Sequence, residues 1–595
     1  MSRLDLHVRK SVADEPAAIE PRFDRGCRDK SEDGSSIVLA YPSFGDDDKN
    51  AIGDRDDENA IGDVLNGGRH TRTVSGDSKS DVWPVRLADM GEKRETRRTS
   101  LATIVRGSSL YTVGKIVSDV GEFLLHLLVS RWLGAGLYGL FAYGKTLAFT
   151  ALLLTNLGSD KSIVRYLPKY EDDPEKRRFL LALAWVTSLG GGLVVAGGLF
   201  VFAPTVTALT LDEPGFVSVL RLFAVILFVD TAANVLYATF RALEIIEYEV
   251  FSKRLLKPVL RVLGVGAALI FGASIYGVVI AMVVASVATL AVAGYLFLSN
   301  LEIRPRLRSP AGTRKTVRSY YNYSLPLSAK EAGTVMQGRV DVLMVGFFLS
   351  SAAVGIYNVS VLLAGVLYIP LLAANQIFAP VVSRLYSQGR TADLQATYRA
   401  VTRWIFTVSL LLAIVLVVFR SELLGLFGPE FTAGTAVLTL FVAAQLCNAA
   451  VGPSGDLLMM TDHQYAVMAN EWIFGVANVA LNIVFIQLFG IVGAALASAG
   501  VLAARNLTKL TEVWYFEGMQ PYSRAFFKPV IAGCVAAAGM AAVHSAVSPV
   551  TGLGIGATVA LGSGVGIGLY AGTLWTVGFE PIDYDLYAQF VEPEQ

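Results

Sequence analysis

The sequence predicts an all-α, polytopic membrane protein of about 14 transmembrane helices, set in two six-helix lobes and a C-terminal helix pair behind a disordered tail. Three observations predict it: a surplus of apolar residues, a long series of apolar runs of ~20 residues, and an internal repeat with a constant offset. Of the 595 residues 53% are hydrophobic and only 17% charged, with a mean hydropathy of +0.51. A soluble domain is about half apolar and about a quarter charged, so this chain calls for a nonaqueous solvent. The formal net charge is zero, which gives no reason to expect a nucleic-acid partner. Cys27, Cys447 and Cys534 lie too far apart in sequence for a metal-ligand motif or a disulfide framework.

The first 100 residues hold 38 of the 100 Asp, Glu, Lys and Arg residues, too polar a segment to bury a core. Residues 1–100 are therefore expected to form a disordered cytoplasmic tail. It contains Asp46, Asp47 and Asp48, and a tandem repeat, Asn50 to Asp54 and Asn59 to Asp63. A calcium loop starting at Asp54 fails, because its sixth position is Asn59 and its twelfth Leu65. No apolar run precedes residue 100, so a signal peptide is not expected. The stretch from Met90, rich in Arg and Lys, reads like a membrane-protein start, and translation is expected to begin there.

From Ser108 the apolar runs fall near 108–133, 137–160, 179–204, 217–242, 255–272, 275–298, 320–349, 353–378, 401–419, 432–460, 464–489, 491–514, 527–547 and 552–577. Very short turns are expected at Gly272–Ile275 and Phe489–Ile491. Alternate connections carry the cations: Arg165, Lys169 and Lys176 to Arg178; Lys253, Arg254 and Lys257; Arg304 to Arg318; Arg384 to Arg403; Arg505 to Lys528. The other connections, near Asp212, Ser274, Ser351, Ile491 and Pro549, are nearly bare, with Arg131 and Arg420 as exceptions. The positive-inside rule then puts both termini in the cytoplasm.

The stretch Leu133 to Ala142 resembles Leu349 to Asn358, and Gly277 to Ala281 resembles Gly493 to Ala497. Gly139 and Gly355 are separated by 216 residues, as are Gly277 and Gly493. Glycines at turns can match by chance once; two matches at one offset point to a duplicated bundle. The expected organisation is an N-lobe over 105–300, a basic linker over 301–319, a C-lobe over 320–515, an added helix pair over 525–580 and an acidic tail over 581–595.

Ionisable residues inside spans are costly and usually face a bundle interior or a watery cavity. The first span carries Lys115, Asp119, Glu122 and His126 on one helical face. The seventh carries Lys330, Thr334, Gln337 and Asp341 at matching spacing, with Glu331 and Arg339 beside them. The two stripes are expected to face each other across a central cavity. Lys145, Asp456 and Glu471 are further candidates. The bland alternative is local pairing, such as Lys115 with Asp119 or Arg339 with Asp341. The glycines around 552–568 lie in an apolar span and read as close helix packing rather than a nucleotide loop. Asp172 and Asp173 read as a solvated loop pair. With no Walker A or HExxH motif, neither a cofactor nor a catalytic residue is expected.

The body from 105 to 580 resembles the polysaccharide-transporter branch of the multidrug, oligosaccharidyl-lipid and polysaccharide exporter superfamily. The residues that carry the likeness are Arg131 to Gly139, Gly158 to Tyr166, Arg339 to Asp341 leading to Gly355 and Tyr357, Pro380 to Arg384, and Asn478 and Asn482 followed by Gly490 to Gly493. The Gly158 to Pro168 stretch looks most like halophilic archaeal members. The resemblance implies a flippase that moves polyprenyl-phosphate- or pyrophosphate-linked oligosaccharide by rocking of two lobes, coupled to H+ or Na+ or not at all, alongside glycosyltransferases of its pathway. It makes Lys115, Lys145, Lys330, Gln337 and Arg339 the expected head-group contacts. Asp119, Glu122, His126, Glu331, Asp341 and Asp456 would bind the ion or hold the cations. The rivals are a drug or cation antiporter of the same superfamily and a membrane-embedded glycosyltransferase. The extra helix pair disfavours the first, and the lack of a large extramembrane loop the second.

Overall fold

The computed structural model describes the backbone over residues 83–213, 215–301, 303–307, 313–547 and 555–578. Side chains are described from Tyr111 onward, except at 329, 330, 332, 334–337, 339 and 555. The expectations for Cys27, the tandem repeat and the acidic C-terminal tail fall outside these residues. Contacts set Met1–Arg86 apart from Leu87–Gln595, and beyond the first turn of the first helix the description below concerns the second unit.

Every regular element among the described residues is helical. Helix α1 (Trp83–Asn156) begins well inside the stretch expected to be disordered. Polarity there argues against burial but not against a helix. The segment is rich in Arg, Leu, Glu and Lys, strong helix formers, and Pro84 in the first turn costs no hydrogen bond. The α1 axis breaks at Gly134, whose φ of 73° and ψ of 175° are extended on the left-handed side, so the expected turn is a single residue. α2 (Ser159–Lys169) and α3 (Pro174–Val201) follow. Asp173 caps α3, its carboxylate accepting the Lys176 N–H at 3.0 Å, so the expected loop acid acts as an N-cap.

The first half continues with α4 (Ala203–Leu209), α5 (Phe216–Ala242), α6 (Ile246–Glu249), a π-helical turn over Val250–Leu256, α7 (Lys257–Ile270) and α8 (Ile275–Asn300). The second half holds α9 (Thr313–Phe348), α10 (Ser351–Ala364), α11 (Ile369–Ser387), α12 (Thr391–Val418), α13 (Arg420–Gly425), α14 (Thr435–Val451), α15 (Ser454–Met460) and α16 (Gln464–Glu517). α16 breaks at Gly490 (φ 59°, ψ −135°), so the second expected short turn is a kink within one helix. α17 (Lys528–Val547) and α18 (Ile555–Val577) close the chain.

Ten helical segments of the described residues are long and apolar enough to cross a membrane, and two of them, Tyr111–Lys169 and Gln464–Glu517, contain the breaks at Gly134 and Gly490. The protein is therefore a multi-pass membrane protein. α7 and α9 correspond to the remaining expected spans without meeting that measure. α7 is 14 residues long, and α9 carries Lys330, Glu331, Arg339 and Asp341 within its length. The polar stripe that singles α9 out also hides it from a hydropathy test.

α5 packs on α2, α3 and α8; α16 packs on α9, α14 and α15; α17 lies along α18 and α12. The largest buried cluster draws on both halves, with Tyr138, Phe141 and Phe223 beside Val354, Tyr357 and Phe431. The expected glycine packing is present in the last pair. A Cβ on Gly562 would strike Phe419, and one on Gly566 would strike Met540.

Candidate functional site

The repeated glycines meet. A Cβ on Gly139 would collide with the Ser351 carbonyl and lie 3.1 Å from the Gly355 nitrogen. A Cβ on Gly355 would collide with the Ala135 carbonyl and lie 3.3 Å from the Gly139 nitrogen. Ser351 follows Ala135 by the same 216 residues that separate the glycines, so the contact is reciprocal, as a two-fold axis requires. The helix breaks obey the same offset: Gly134 matches Ser350 (ψ 165°), and Gly490 matches Ser274 (ψ −175°).

Two carboxylates reinforce this contact from opposite halves. Glu430 Oε2 accepts the Ala135 N–H at 2.8 Å, and Glu213 Oε1 accepts the Ser351 hydroxyl at 3.0 Å. Each acid sits on the connection between the third and fourth helices of its own half and reaches the first turn of the second helix in the other. Free N–H groups and the positive end of the helix dipole favour a carboxylate there. Sequence reasoning read the connection near Asp212 only as a sparsely charged loop and missed Glu430; Glu213 and Glu430 each precede a buried phenylalanine, Phe216 and Phe431, at nearly the repeat offset.

At the opposite end, α2 rests on the start of α9. Ser162 Oγ donates to the Tyr320 carbonyl at 3.0 Å, and the Tyr320 hydroxyl donates to the Ser159 carbonyl at 3.3 Å. Lys161 Nζ is 3.0 Å from Glu331 and 3.5 Å from Asp160. Glu331 thus faces α2, in a different direction from Asp341.

Between these contacts lies a polar chain. Lys145 is paired with Glu122, and its Nζ is 2.9 Å from His126 Nε2. The same Nε2 lies 3.4 Å from Glu122 Oε1, so the lysine, the carboxylate and the imidazole meet at one point. His126 Nδ1 shares a hydrogen bond with the Tyr138 hydroxyl at 2.8 Å, and that hydroxyl accepts from Asn358 Nδ2 at 2.7 Å. His126 is buried, whereas Glu122 is 39% exposed. The next residue along α10, Tyr357, donates to Asp341 Oδ2 at 2.7 Å, and Oδ1 accepts the Val342 N–H at 2.8 Å. One turn of α10 therefore joins the His126 cluster to buried Asp341. Tyr138, Tyr357 and Asn358 were missed in the sequence; their signal was the polar groups inside the repeated glycine stretch.

Lys115 and Asp119 form an exposed pair at 2.7 Å, the local pairing weighed above, and this pair is not part of the chain through His126. The side chains of Lys330, Thr334, Gln337 and Arg339 lie outside the described residues. Asp456, at the start of α15, adjoins a separate cluster in which Glu471 pairs with Arg505 at 3.2 Å and Lys509 at 3.1 Å; a Cβ on the neighbouring Gly455 would be 3.6 Å from Lys509 Nζ. A further, partly buried cluster was missed. Asp230 pairs with Lys257 at 2.8 Å and Arg261 at 3.3 Å, and Arg261 also reaches Ser286. Its signal was an aspartate within an apolar run. Among the described residues no group of acids, histidines and cysteines could hold a metal ion.

Residues 104–386 match the family described as Polysaccharide biosynthesis protein, and residues 326–450 match the family described as MatE. Each match covers less than half of the chain, and both agree with the resemblance to the polysaccharide-transporter branch of the multidrug, oligosaccharidyl-lipid and polysaccharide exporter superfamily. Two relatives come from Haloferax volcanii. The "probable low-salt glycan biosynthesis flippase Agl15" is 28% identical over 190 residues, 31% of this chain and 39% of that protein. The "probable flippase AglR" is 27% identical over 188 residues, 29% of this chain and 38% of that protein. The chain thus matches less than half the length of these relatives. In fold it is similar to the lipid II flippase MurJ in an inward closed conformation, with a TM-score of 0.61 and 13% identity over 78% of this chain and 97% of that one. An inward-facing multidrug-resistance transporter of the same superfamily has a TM-score of 0.54 and 14% identity over 68% and 98%.

Proposed function

We propose that the protein is a flippase, not an enzyme, and that it moves a polyprenyl-phosphate- or pyrophosphate-linked oligosaccharide across the cytoplasmic membrane by alternating access. The observation that carries this reading is the reciprocal contact of Gly139 and Gly355, a small two-fold seam between halves at one face. A seam of a few backbone contacts and two carboxylate hydrogen bonds can part without unfolding either half. The names of the Haloferax relatives and the match to the polysaccharide biosynthesis family support a glycan-lipid substrate.

In this reading the lobes are residues 105–300 and 320–515, joined by the basic linker 301–319, with 525–580 as an added pair. The basic connections face the cytoplasm with both termini, and the Gly139–Gly355 seam lies at the outer face. An anionic head group needs cations in its path. Lys145 is the best supported of these, since it lies in the hydrogen-bonded chain that links the halves; Lys115, Lys330, Gln337 and Arg339 are proposed with it. Glu122, His126 and Asp341 would exchange a proton or hold Na+, with Asp119, Glu331 and Asp456 as further ion or charge-pairing candidates, and pathway glycosyltransferases would supply the substrate. The MatE match over 326–450 favours a drug or cation antiporter as the second reading.

The test is transport in proteoliposomes. A fluorescent polyprenyl-pyrophosphate glycan should become accessible to an impermeant quencher with wild type, and not with Lys145→Ala of equal thermal stability. Efflux of small cationic drugs without glycan-lipid movement would replace this reading with the second.

A further inference from the structure

A second cationic site lies apart from the polar chain, at the basic face. It is a cavity of about 480 Å³ where the end of α2, the first turn of α3 and the start of α9 converge. Arg165, Lys169, Lys176 and Lys315 line it, and among the described residues no acidic one does. Lys176 is held by Asp173 at 2.8 Å. Arg165, Lys169 and Lys315 have no carboxylate within 4.0 Å among the described residues. The Arg165 guanidinium lies 4.2 Å from the Tyr323 ring centre and 5.6 Å from that of Tyr166. The Tyr166 hydroxyl is anchored to the Ser319 carbonyl at 3.2 Å. Ring contacts hold a guanidinium in place while leaving its in-plane N–H groups for an oxyanion.

Orientation by positive charge alone requires cations somewhere on this face. It does not require three elements to gather them around one hollow, nor tyrosines to fix one of them. We propose that this cavity binds the phosphate or pyrophosphate of a lipid head group. It is of head-group size rather than that of a single ion, and converging cations suit phosphate oxygens. Because α2 and α3 belong to one half and α9 to the other, an occupant spans the seam at this face and biases its closure. The proposal rests on the flippase reading only for the identity of the lipid: the substrate docking before entry, or an anionic phospholipid setting the transport rate.

The experiment uses the full chain in nanodiscs and titrates a short-chain polyprenyl pyrophosphate, with phosphatidylglycerol or phosphatidylcholine as the surrounding lipid. The triple variant R165Q/K169Q/K315Q is compared with R390Q, which removes an exposed charge elsewhere on the same face. The triple variant is expected to weaken pyrophosphate-lipid binding about tenfold or more, with R390Q near wild type and the charge-keeping R165K/K169R/K315R variant partly restored. Loss of binding in phosphatidylglycerol discs alone identifies competition by bulk anionic lipid; binding indifferent to the disc lipid identifies the pyrophosphate carrier. Equal binding by wild type and triple variant, at equal melting temperature, overturns the site. If the triple variant fails to fold, K315Q alone must still weaken binding severalfold, or the proposal falls. A chain that binds in this way yet moves no glycan lipid would refute the flippase reading and leave the site standing.

Discussion

Replacing Gly355 by alanine separates two opposite expectations. In an unconstrained helix interior, alanine is favoured over glycine by about 1 kcal/mol. Here the new methyl would collide with the Ala135 carbonyl oxygen, 3.2 Å from its carbon, with the Gly139 nitrogen 3.3 Å away. Both neighbours are backbone, so no rotamer can yield, and the two helices must separate by roughly an ångström. Overpacking of this kind costs about 1–3 kcal/mol. If the cost exists only while the halves touch, it shifts the balance toward the state parted at that face by roughly 5- to 150-fold. Spin labels at Asp212 and Thr432, exposed positions on the two connections beside the seam, in a background without native cysteines, would report the change. The account expects a longer-distance population to grow in Gly355→Ala, and equally in Gly139→Ala, with the double variant less than additive because both wedge one contact. An unchanged distance distribution with a raised melting temperature would refute the seam.

Four further outcomes follow from the geometry. The pair Glu213→Gln and Glu430→Gln should weaken the bonds to the Ser351 hydroxyl and the Ala135 N–H and part the same face, by about 0.5–2 kcal/mol for the Ala135 cap, read by the same distances. Asp230→Ala leaves the partly buried Lys257 and Arg261 without their partner and should destabilise the fold, seen as a lower melting temperature in detergent. Asp173→Ala should lower the melting temperature through loss of the α3 cap, and Asp173→Asn should lower it much less. The exposed Asp173 carboxyl is held below its usual range by hydrogen bonds from Lys176. Its contribution is therefore present at neutral pH and lost as pH falls through its lowered folded-state value, a trend that Asp173→Asn should abolish in a melting curve.

Much of the fold could be read from the chain. The apolar runs locate the helices, and the constant offset of 216 finds the two glycines that meet, because a backbone contact demands glycine on both sides and so marks itself. Of the first stripe, Glu122 and His126 meet Lys145 in a polar chain, while Lys115 and Asp119 pair apart from it. The partners of these residues were hidden. Nothing near Glu430 in sequence indicates that it caps Ala135, since that bond joins the halves in space. The Asp230 cluster was overlooked because its cations fall at a helix edge, where they read as orientation charges. Lys115 and Asp119, four residues apart, found each other on one surface, as i,i+4 charges tend to do. The helix from Trp83 was missed because low hydrophobicity was taken as evidence against structure rather than against burial.

The central claim is movement of a pyrophosphate-linked glycan through the seam between two halves. Its most direct measurement is quencher accessibility of a labelled polyprenyl-pyrophosphate glycan in proteoliposomes, with and without a reducible cross-link between cysteines placed at Ala135 and Ser351. The account predicts movement in the reduced protein, arrest in the cross-linked one and recovery on reduction. Undiminished movement with the seam locked shut would contradict it.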